Sequence, residues 1–66
     1  MMMHEGVEYY TTADIALHFD VGDATVRQWV KRGHLEVAHR VKLGRNTYSL
    51  FTEQAVKDYA QRKYGS

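Results

Sequence analysis

The 66-residue sequence contains no cysteine, no proline and no long apolar run. The absence of cysteine excludes disulfides and cysteine-ligated zinc sites, and it fits a reducing compartment. No stretch is long enough to cross a bilayer, and the first residues lack the pattern of a secretory signal. We therefore expect a cytoplasmic protein with no membrane partner.

The sequence also lacks the residue patterns of enzymes. It shows no nucleophile beside a base, no carboxylate pair suited to acid–base catalysis and no phosphate-binding loop. A metal site at His34 and His39 would need both side chains on one face and a third ligand. We predict no catalysis, no metal and no cofactor, with these histidines exposed to solvent or in contact with phosphate.

Positive charge is concentrated in the centre of the chain. Residues 27–45 carry six cations and a single acid, Glu36, which gives this segment a net charge of +5. The remaining residues have a net charge of −4, and the whole chain has +1. A segment of this kind suits a phosphate-binding face. Chance clustering on a small surface is the alternative.

Three segments have the start signals and apolar spacing of helices. The first, about 12–19, follows Thr11, which forms a capping pair with Asp14. The second, about 23–32, ends at Gly33, because glycine adopts the left-handed cap conformation without strain. The third spans about 53–62. Their apolar faces predict a core of Ile15, Ala16, Phe19, Val26, Trp29, Val30, Ala55, Val56 and Tyr59.

Between residues 35 and 51 the apolar period changes to two, which is typical of strands. A turn at Gly44, Arg45 and Asn46 separates two such runs and predicts a β-hairpin with Arg45 at its tip. The predicted fold is therefore α+β, in the order helix, turn, helix, hairpin and helix. We expect one domain over 10–62, a flexible N-terminal tail over 1–9 and a C-terminal tail over 63–66.

Only Asp20 to Gly22 separate the first two helices, and so short a connection predicts the steep crossing of a helix-turn-helix. Asp20 occupies the turn position where a left-handed conformation is usual, which aspartate tolerates at some cost.

The outward side chains of the second helix are small at its start and basic towards its end. Ala24 and Thr25 would let the helix tip approach base edges closely. Arg27 can bond guanine and Gln28 can bond adenine in the major groove of DNA. Lys31 and Arg32 are better placed for phosphates. The alternative is a solvated amphipathic helix, because these residue types are good helix formers.

Together the runs 10–16, 24–35 and 51–56 resemble the winged helix-turn-helix of the MerR-like superfamily, and in particular the small excisionases of phages and plasmids. The resemblance covers about residues 10–60. It implies that the second helix enters the major groove and that the hairpin is a wing on the adjacent backbone or minor groove. The implied contacts of the second helix are Thr25, Arg27, Gln28 and Lys31, and those of the wing are Arg40, Lys42 and Arg45. With Ala24 and Arg32 on the helix and Asn46 on the wing, these residues form the predicted DNA-binding set.

The sequence departs from the family pattern at four positions around the first helix and the turn. Leu17 takes a place that is usually polar, and His18 takes one that is usually apolar. Asp20 replaces the usual turn glycine, and Gly22 replaces a capping serine or threonine. These changes weaken the second cap but remove no implied DNA contact.

The leading interpretation is a nucleoid-associated protein that binds double-stranded DNA in a sequence-specific way. Within it we expect an excisionase-like recombination directionality factor from a phage or mobile element, which binds cooperatively and bends DNA. Its expected partners are DNA, further copies of itself and an integrase. A small stand-alone transcriptional regulator is the alternative role. A protein-interaction module on a winged-helix scaffold is the alternative of another class.

Overall fold

Three helices and four strands make up the described part of the chain, which is residues 1–65 of a computed structural model. In chain order they are β1 (Met2–His4), β2 (Val7–Thr11), α1 (Thr12–Phe19), α2 (Asp23–Lys31), β3 (His39–Leu43), β4 (Asn46–Phe51) and α3 (Glu53–Tyr64). The predicted α+β winged helix-turn-helix is confirmed, with the β3–β4 hairpin as its wing.

Side-chain caps start two of the three helices. Thr11 and Asp14 form a complete capping box at α1: the Thr11 hydroxyl accepts from the Asp14 amide at 3.2 Å, and the Asp14 carboxylate accepts from the Thr11 amide at 2.9 Å. At α3 the Thr52 hydroxyl accepts from the Ala55 amide at 3.0 Å. Gly22 supplies no such bond to α2. The first turn of α2 is instead closed by backbone bonds from the Thr25 and Val26 amides to the Gly22 carbonyl, at 3.1 and 3.3 Å.

Helix ends differ slightly from the prediction. Arg32 caps α2 instead of ending inside it, and α3 continues through Lys63 and Tyr64. The prediction of a C-terminal tail from residue 63 is therefore wrong at these two positions. The extra turn is held by packing, because the Tyr64 ring stacks on Phe19 at a centroid distance of 5.8 Å. A pattern of apolar periodicity within one helix does not show such a contact.

All four strands form one antiparallel sheet in the order β1-β2-β4-β3. The wing turns at Gly44, whose φ of 63° suits a two-residue turn that needs positive φ at its first position. Strand β2 joins the wing to the N-terminal hairpin, because Tyr10 pairs with Phe51 and Thr11 pairs with Leu50.

The prediction of a flexible tail over residues 1–9 is wrong, because β1 and β2 form a hairpin there. Its turn is Glu5-Gly6, with φ of 51° and 80°. Positive φ at both turn residues is the type I′ geometry, for which Asn-Gly and Asp-Gly are the usual sequences. Glutamate is uncommon at the first position, so of the usual two-residue turn sequence only the glycine is present here.

The core lies between the three helices and one face of the sheet. Val26 and Trp29 from α2 pack in one cluster with Phe51 from the wing, and the predicted Val30 and Ala55 are only half-buried. The Phe19, Trp29 and Tyr59 rings meet within this cluster at centroid distances of 4.8 to 5.7 Å. The buried members of the cluster are Ile15, Ala16, Phe19, Val26, Trp29, Leu35, Phe51, Val56 and Tyr59.

Candidate nucleic-acid interface

Helix α2 presents one apolar face to the core and one polar face to solvent. Residues along a helix are rotated by about 100° each, so the direction opposite Val26 and Trp29 belongs to four side chains. These four are all exposed: Ala24, Arg27, Gln28 and Lys31. Thr25 is half-buried at the border of this face, and Arg32 caps the helix there. Of the six residues of α2 predicted to contact DNA, four therefore lie at the centre of the exposed face and two lie at its edge.

An open groove of about 810 Å³ separates α2 from the wing. Arg27 and Lys31, one helical turn apart, line its helix side. Arg40 and Asn46 line its wing side, and Thr12 at the start of α1 also borders it. Four of the ten predicted contact residues therefore surround one space.

Strand register places two wing cations on the α2 side of the sheet. Arg40 pairs with Ser49 and Lys42 pairs with Thr47, and partners in an antiparallel pair project from the same face. Because side chains alternate along a strand, Thr47 and Ser49 share their face with Phe51, which packs in the core beside the helices. Arg40 and Lys42 therefore project on the α2 side of the sheet.

Lys42 and Arg45 do not line the groove, although Lys42 pairs with the groove-lining Thr47. Arg45 is exposed within the turn that joins β3 to β4. The predicted wing residues thus divide into two that line the groove, Arg40 and Asn46, and two that do not, Lys42 and Arg45.

The net charge of the groove lining is positive, and its cations form no ion pairs within residues 1–65. Three cations, Arg27, Lys31 and Arg40, line it together with one acid, Asp23. Across residues 1–65 the ion pairs are Met1 with Asp14 and Lys57 with Glu53, neither of which involves these cations. The groove therefore offers its positive charge to an external anion.

Sequence reasoning missed several residues that line the groove. Asp23 was predicted only as the first residue of the second helix. Thr47 and Ser49 carried a usable signal, because small hydroxyl residues alternate there with Tyr48 and Leu50. The missed lining residues are Thr11, Thr12, Ala13, Asp23, Val30, Thr47, Tyr48, Ser49 and Phe51.

Groups on α1 and α3 have shifted pKa values. Partial burial raises the pKa of Asp14, but hydrogen bonds from the Thr11 amide, the Met1 amino group and the Thr11 hydroxyl outweigh it, so the pKa lies below its ordinary value. On α3 the Lys57 ammonium lowers the pKa of Glu53, and Glu53 in turn raises the pKa of Lys57. Asp14 thus stays ionised beside the groove-lining Thr12.

The two histidines weighed as metal ligands belong to different clusters. His34 lies at the end of α2, with its ring 6.0 Å from that of Tyr59, and its carbonyl accepts from Arg62 at 3.0 Å. His39 lies at the base of the wing, with its ring 5.0 Å from that of His4. Over residues 1–65 no three metal-ligating side chains come together, and no helix is long and apolar enough to span a membrane.

Comparison with known proteins gives one match. The family model described as "Helix-turn-helix domain" matches residues 9–64, which is most of the chain. No curated protein and no solved structure is significantly similar to it. The match includes α1, α2, the wing and α3, and it begins inside β2.

Proposed function

We propose that this chain, which belongs to the helix-turn-helix domain family of DNA-binding proteins, binds duplex DNA in a sequence-specific way. Helix α2 enters the major groove, and the wing contacts the adjacent backbone or minor groove. In this proposal Arg27 and Gln28 bond base edges, because each can make a bidentate pair with a purine. Ala24 and Thr25, at the start of α2, allow the helix to approach closely.

The observation that carries the proposal is the shared groove between α2 and the wing. Arg27 and Lys31 face Arg40 across it, and none of these cations is in an ion pair within residues 1–65. A DNA backbone running between α2 and the wing would contact Lys31 on one wall and Arg40 on the other, with Arg27 directed to the bases. The helix side chains beyond this backbone would then lie at the base edges.

The phosphate contacts set the salt dependence of binding. We assign phosphates to Lys31, Arg32, Arg40 and Lys42, with Arg45 reaching the minor groove from the wing tip, where an arginine suits a narrow groove. Four or five such contacts predict a slope of about −3 to −5 when log affinity is plotted against log salt concentration.

Selection of bound sequences from a random duplex pool tests the proposal, followed by salt titration on the selected duplex. Arg40→Ala should reduce the magnitude of the salt slope by about 1, since one phosphate contact is lost. Lys57→Ala is the matched control, because Lys57 is an exposed cation on α3 that is paired with Glu53 and lies outside the groove. A slope near zero, or selection that enriches no sequence, would contradict the proposal.

The finer role that we propose is that of an excisionase-like directionality factor, which binds cooperatively beside an integrase and bends DNA. It is supported by the resemblance of residues 10–60 to small excisionases. Selected sites should then occur as tandem repeats, and the bound duplex should migrate anomalously in gels according to the position of the site. A single isolated site overlapping a promoter, with straight DNA, would favour a transcriptional regulator instead.

A further inference from the structure

The sheet has an outer face, which lies opposite the core side on which Phe51 packs. Within strands β1 to β4 the charged residues are Glu8, Arg40 and Lys42. Arg40 and Lys42 project on the core side, as the register of the wing shows. Glu8 does so as well, because side chains alternate along β2 and Tyr10 packs against the core. The four strands therefore contribute no formal charge to the outer face.

Two histidines meet on this outer face. His39 pairs with Leu50, the neighbour of Phe51, so its side chain projects away from the core side. His4 reaches the same place from β1, and the two ring centroids lie 5.0 Å apart with the ring planes tilted by 52°. The Tyr9 ring lies 5.3 Å from that of His39 and completes the cluster. The two edge strands, β1 and β3, thus bring two imidazoles together.

Neither of these imidazoles is engaged by another polar group. Within residues 1–65 the rings of His4 and His39 take part in no hydrogen bond and no ion pair. A neutral imidazole has a lone pair on one ring nitrogen, which is the atom that binds metal ions. His39 is exposed and His4 is half-buried, so solvent reaches the pair. The pair therefore has donor capacity that the fold itself does not use.

The separation of the rings suits a shared metal ion. Two imidazoles that bind one ion through nitrogen at about 2.0–2.1 Å place their ring centroids about 4.5–5 Å apart. The observed distance between His4 and His39 is 5.0 Å. Rotation about the bond that joins the ring to Cβ is soft in histidine, so a nitrogen of each ring can turn towards a common point. The uncharged outer face adds no lysine or arginine that would repel a cation.

The other two histidines of the chain lack such a partner. The His18 ring lies 5.0 Å from that of Phe19, and the His34 ring lies 6.0 Å from that of Tyr59. Within residues 1–65 neither of them contacts a second imidazole. They are therefore matched controls in the same molecule.

We propose that His4 and His39 form a binding site for a divalent transition metal ion of the Zn²⁺ type, with one nitrogen from each imidazole and water at the remaining positions. Imidazole suits Zn²⁺, Cu²⁺ and Ni²⁺, whereas Mg²⁺ and Ca²⁺ prefer oxygen ligands. Two protein ligands leave the coordination sphere open, unlike the four of a structural zinc site. The bound ion joins β1 to the first residue of β3 and so ties the N-terminal hairpin to the base of the wing. The site is independent of the proposed DNA binding.

Thermal unfolding of the untagged chain, stripped of metal with a chelator, tests the site. Zn²⁺ at about tenfold above its dissociation constant should raise the melting temperature by about 5 °C or more, because it binds the folded state. Mg²⁺ at the same concentration should not. His4→Asn and His39→Asn should each abolish the Zn²⁺ effect, and His34→Asn should keep it. A natural chain that does not respond to Zn²⁺, or a full response in His39→Asn, would overturn the proposal.

The chain terminus is the competing metal ligand, because the Met1 amino group lies close to His4 in sequence. In the fold this amino group lies 3.0 Å from the Asp14 carboxylate, so it is already paired. His39→Asn separates the two sites, since it removes the proposed pair and leaves the terminus intact. A Zn²⁺ effect lost in His4→Asn but retained in His39→Asn would assign the ion to the terminus and overturn the proposal.

Nuclear magnetic resonance of the natural chain gives a second readout that depends on no variant. The four histidines have separate ring-proton signals to follow during a Zn²⁺ titration. The signals of His4 and His39 should move together and saturate, while those of His18 and His34 stay in place. Equal movement of all four sets would show unspecific binding and overturn the site.

Discussion

Asp20 and Gly33 occupy the same position in the same backbone motif at the ends of α1 and α2. The Asp20 amide donates to the Leu17 carbonyl at 3.3 Å, and the next amide, that of Val21, donates to the carbonyl of Ala16 at 2.9 Å. Gly33 and His34 repeat this pair of bonds at 3.1 and 2.8 Å. Both motif residues are left-handed, with φ of 57° for Asp20 and 82° for Gly33. Only the residue type differs between the two ends.

Asp20→Gly should therefore stabilise the protein. Glycine adopts the left-handed conformation without the clash of a Cβ atom. This effect exceeds the opposing one, which is the greater conformational entropy of glycine in the unfolded chain. Removing an acid from the negative end of the α1 dipole adds a further favourable effect. We expect a gain of about 0.5–1 kcal/mol in the free energy of unfolding, measured by urea denaturation.

Two variants control this experiment. Asp23→Gly makes the same chemical change within the first turn of α2, where glycine has poor helix propensity, and it should destabilise. Gly33→Ala should also destabilise, because alanine is strained at a φ of 82°. Equal effects of Asp20→Gly and Asp23→Gly would show that charge, and not backbone conformation, determines the outcome.

Asp14 makes the stability of the fold depend on pH. Its pKa is lowered in the folded protein, because the hydrogen bonds from Thr11 and Met1 outweigh the cost of partial burial. Its contribution is therefore complete above the unfolded pKa of about 3.9 and is lost as the pH falls through the lower folded value. Asp14→Asn should cost about 1 kcal/mol at pH 7, and the difference from the natural chain should shrink below about pH 4.

Urea denaturation of both proteins between pH 3 and pH 7 measures this difference. Asp58→Asn is the control, because Asp58 is exposed and accepts a single hydrogen bond from Gln54, at 2.8 Å on the surface of α3. A constant difference between Asp14→Asn and the natural chain over the whole range would contradict the assignment of the effect to the Asp14 charge.

Local signals in the sequence predicted the helices and the wing well. Thr11 and Asp14 predicted the start of α1, and Gly33 predicted the end of α2, because these residues act through bonds to their own neighbours. The wing was predicted for the same reason, since strand alternation and a glycine turn are local. The left-handed conformation at Asp20 followed from the short turn around it.

Features that depend on long-range packing could not be predicted in this way. The N-terminal hairpin is held by contacts of His4 and Tyr9 with His39, more than 25 residues along the chain. The last turn of α3 depends on Phe19 in α1. The groove likewise follows from the packing of α2 against the wing, so sequence named Arg27 and Arg40 as candidates without showing that they share a space. Their role in DNA contact stays a prediction.

Tyr64 should contribute to stability although it is 66% exposed and lies past the predicted end of the domain. Its ring stacks on Phe19 with an interplanar angle of 21°, and aromatic pairs contribute about 0.5–1.5 kcal/mol. Tyr64→Ala should lower the melting temperature by several degrees, measured by circular dichroism, while Gln61→Ala on the exposed side of α3 should not. Equal melting temperatures for Tyr64→Ala and the natural chain would show that the stacking is energetically irrelevant.

Arg27 and Lys31 line the same groove one helical turn apart, and the proposed function assigns them different work. Arg27→Ala should cost about 1–3 kcal/mol on the preferred duplex, which is a loss of about 5- to 150-fold in affinity, and should relax the preference at one base pair. Lys31→Ala should weaken binding to all duplexes alike and reduce the magnitude of the salt slope by about 1, because Lys31 contacts phosphate in the proposal. Binding of each variant to a panel of single-base substitutions at two salt concentrations separates the two effects, with Lys57→Ala as the unaffected control. If Arg27→Ala weakened binding to every duplex in the panel equally, Arg27 would be a phosphate contact. Gln28 would then be the residue of α2 that contacts base edges.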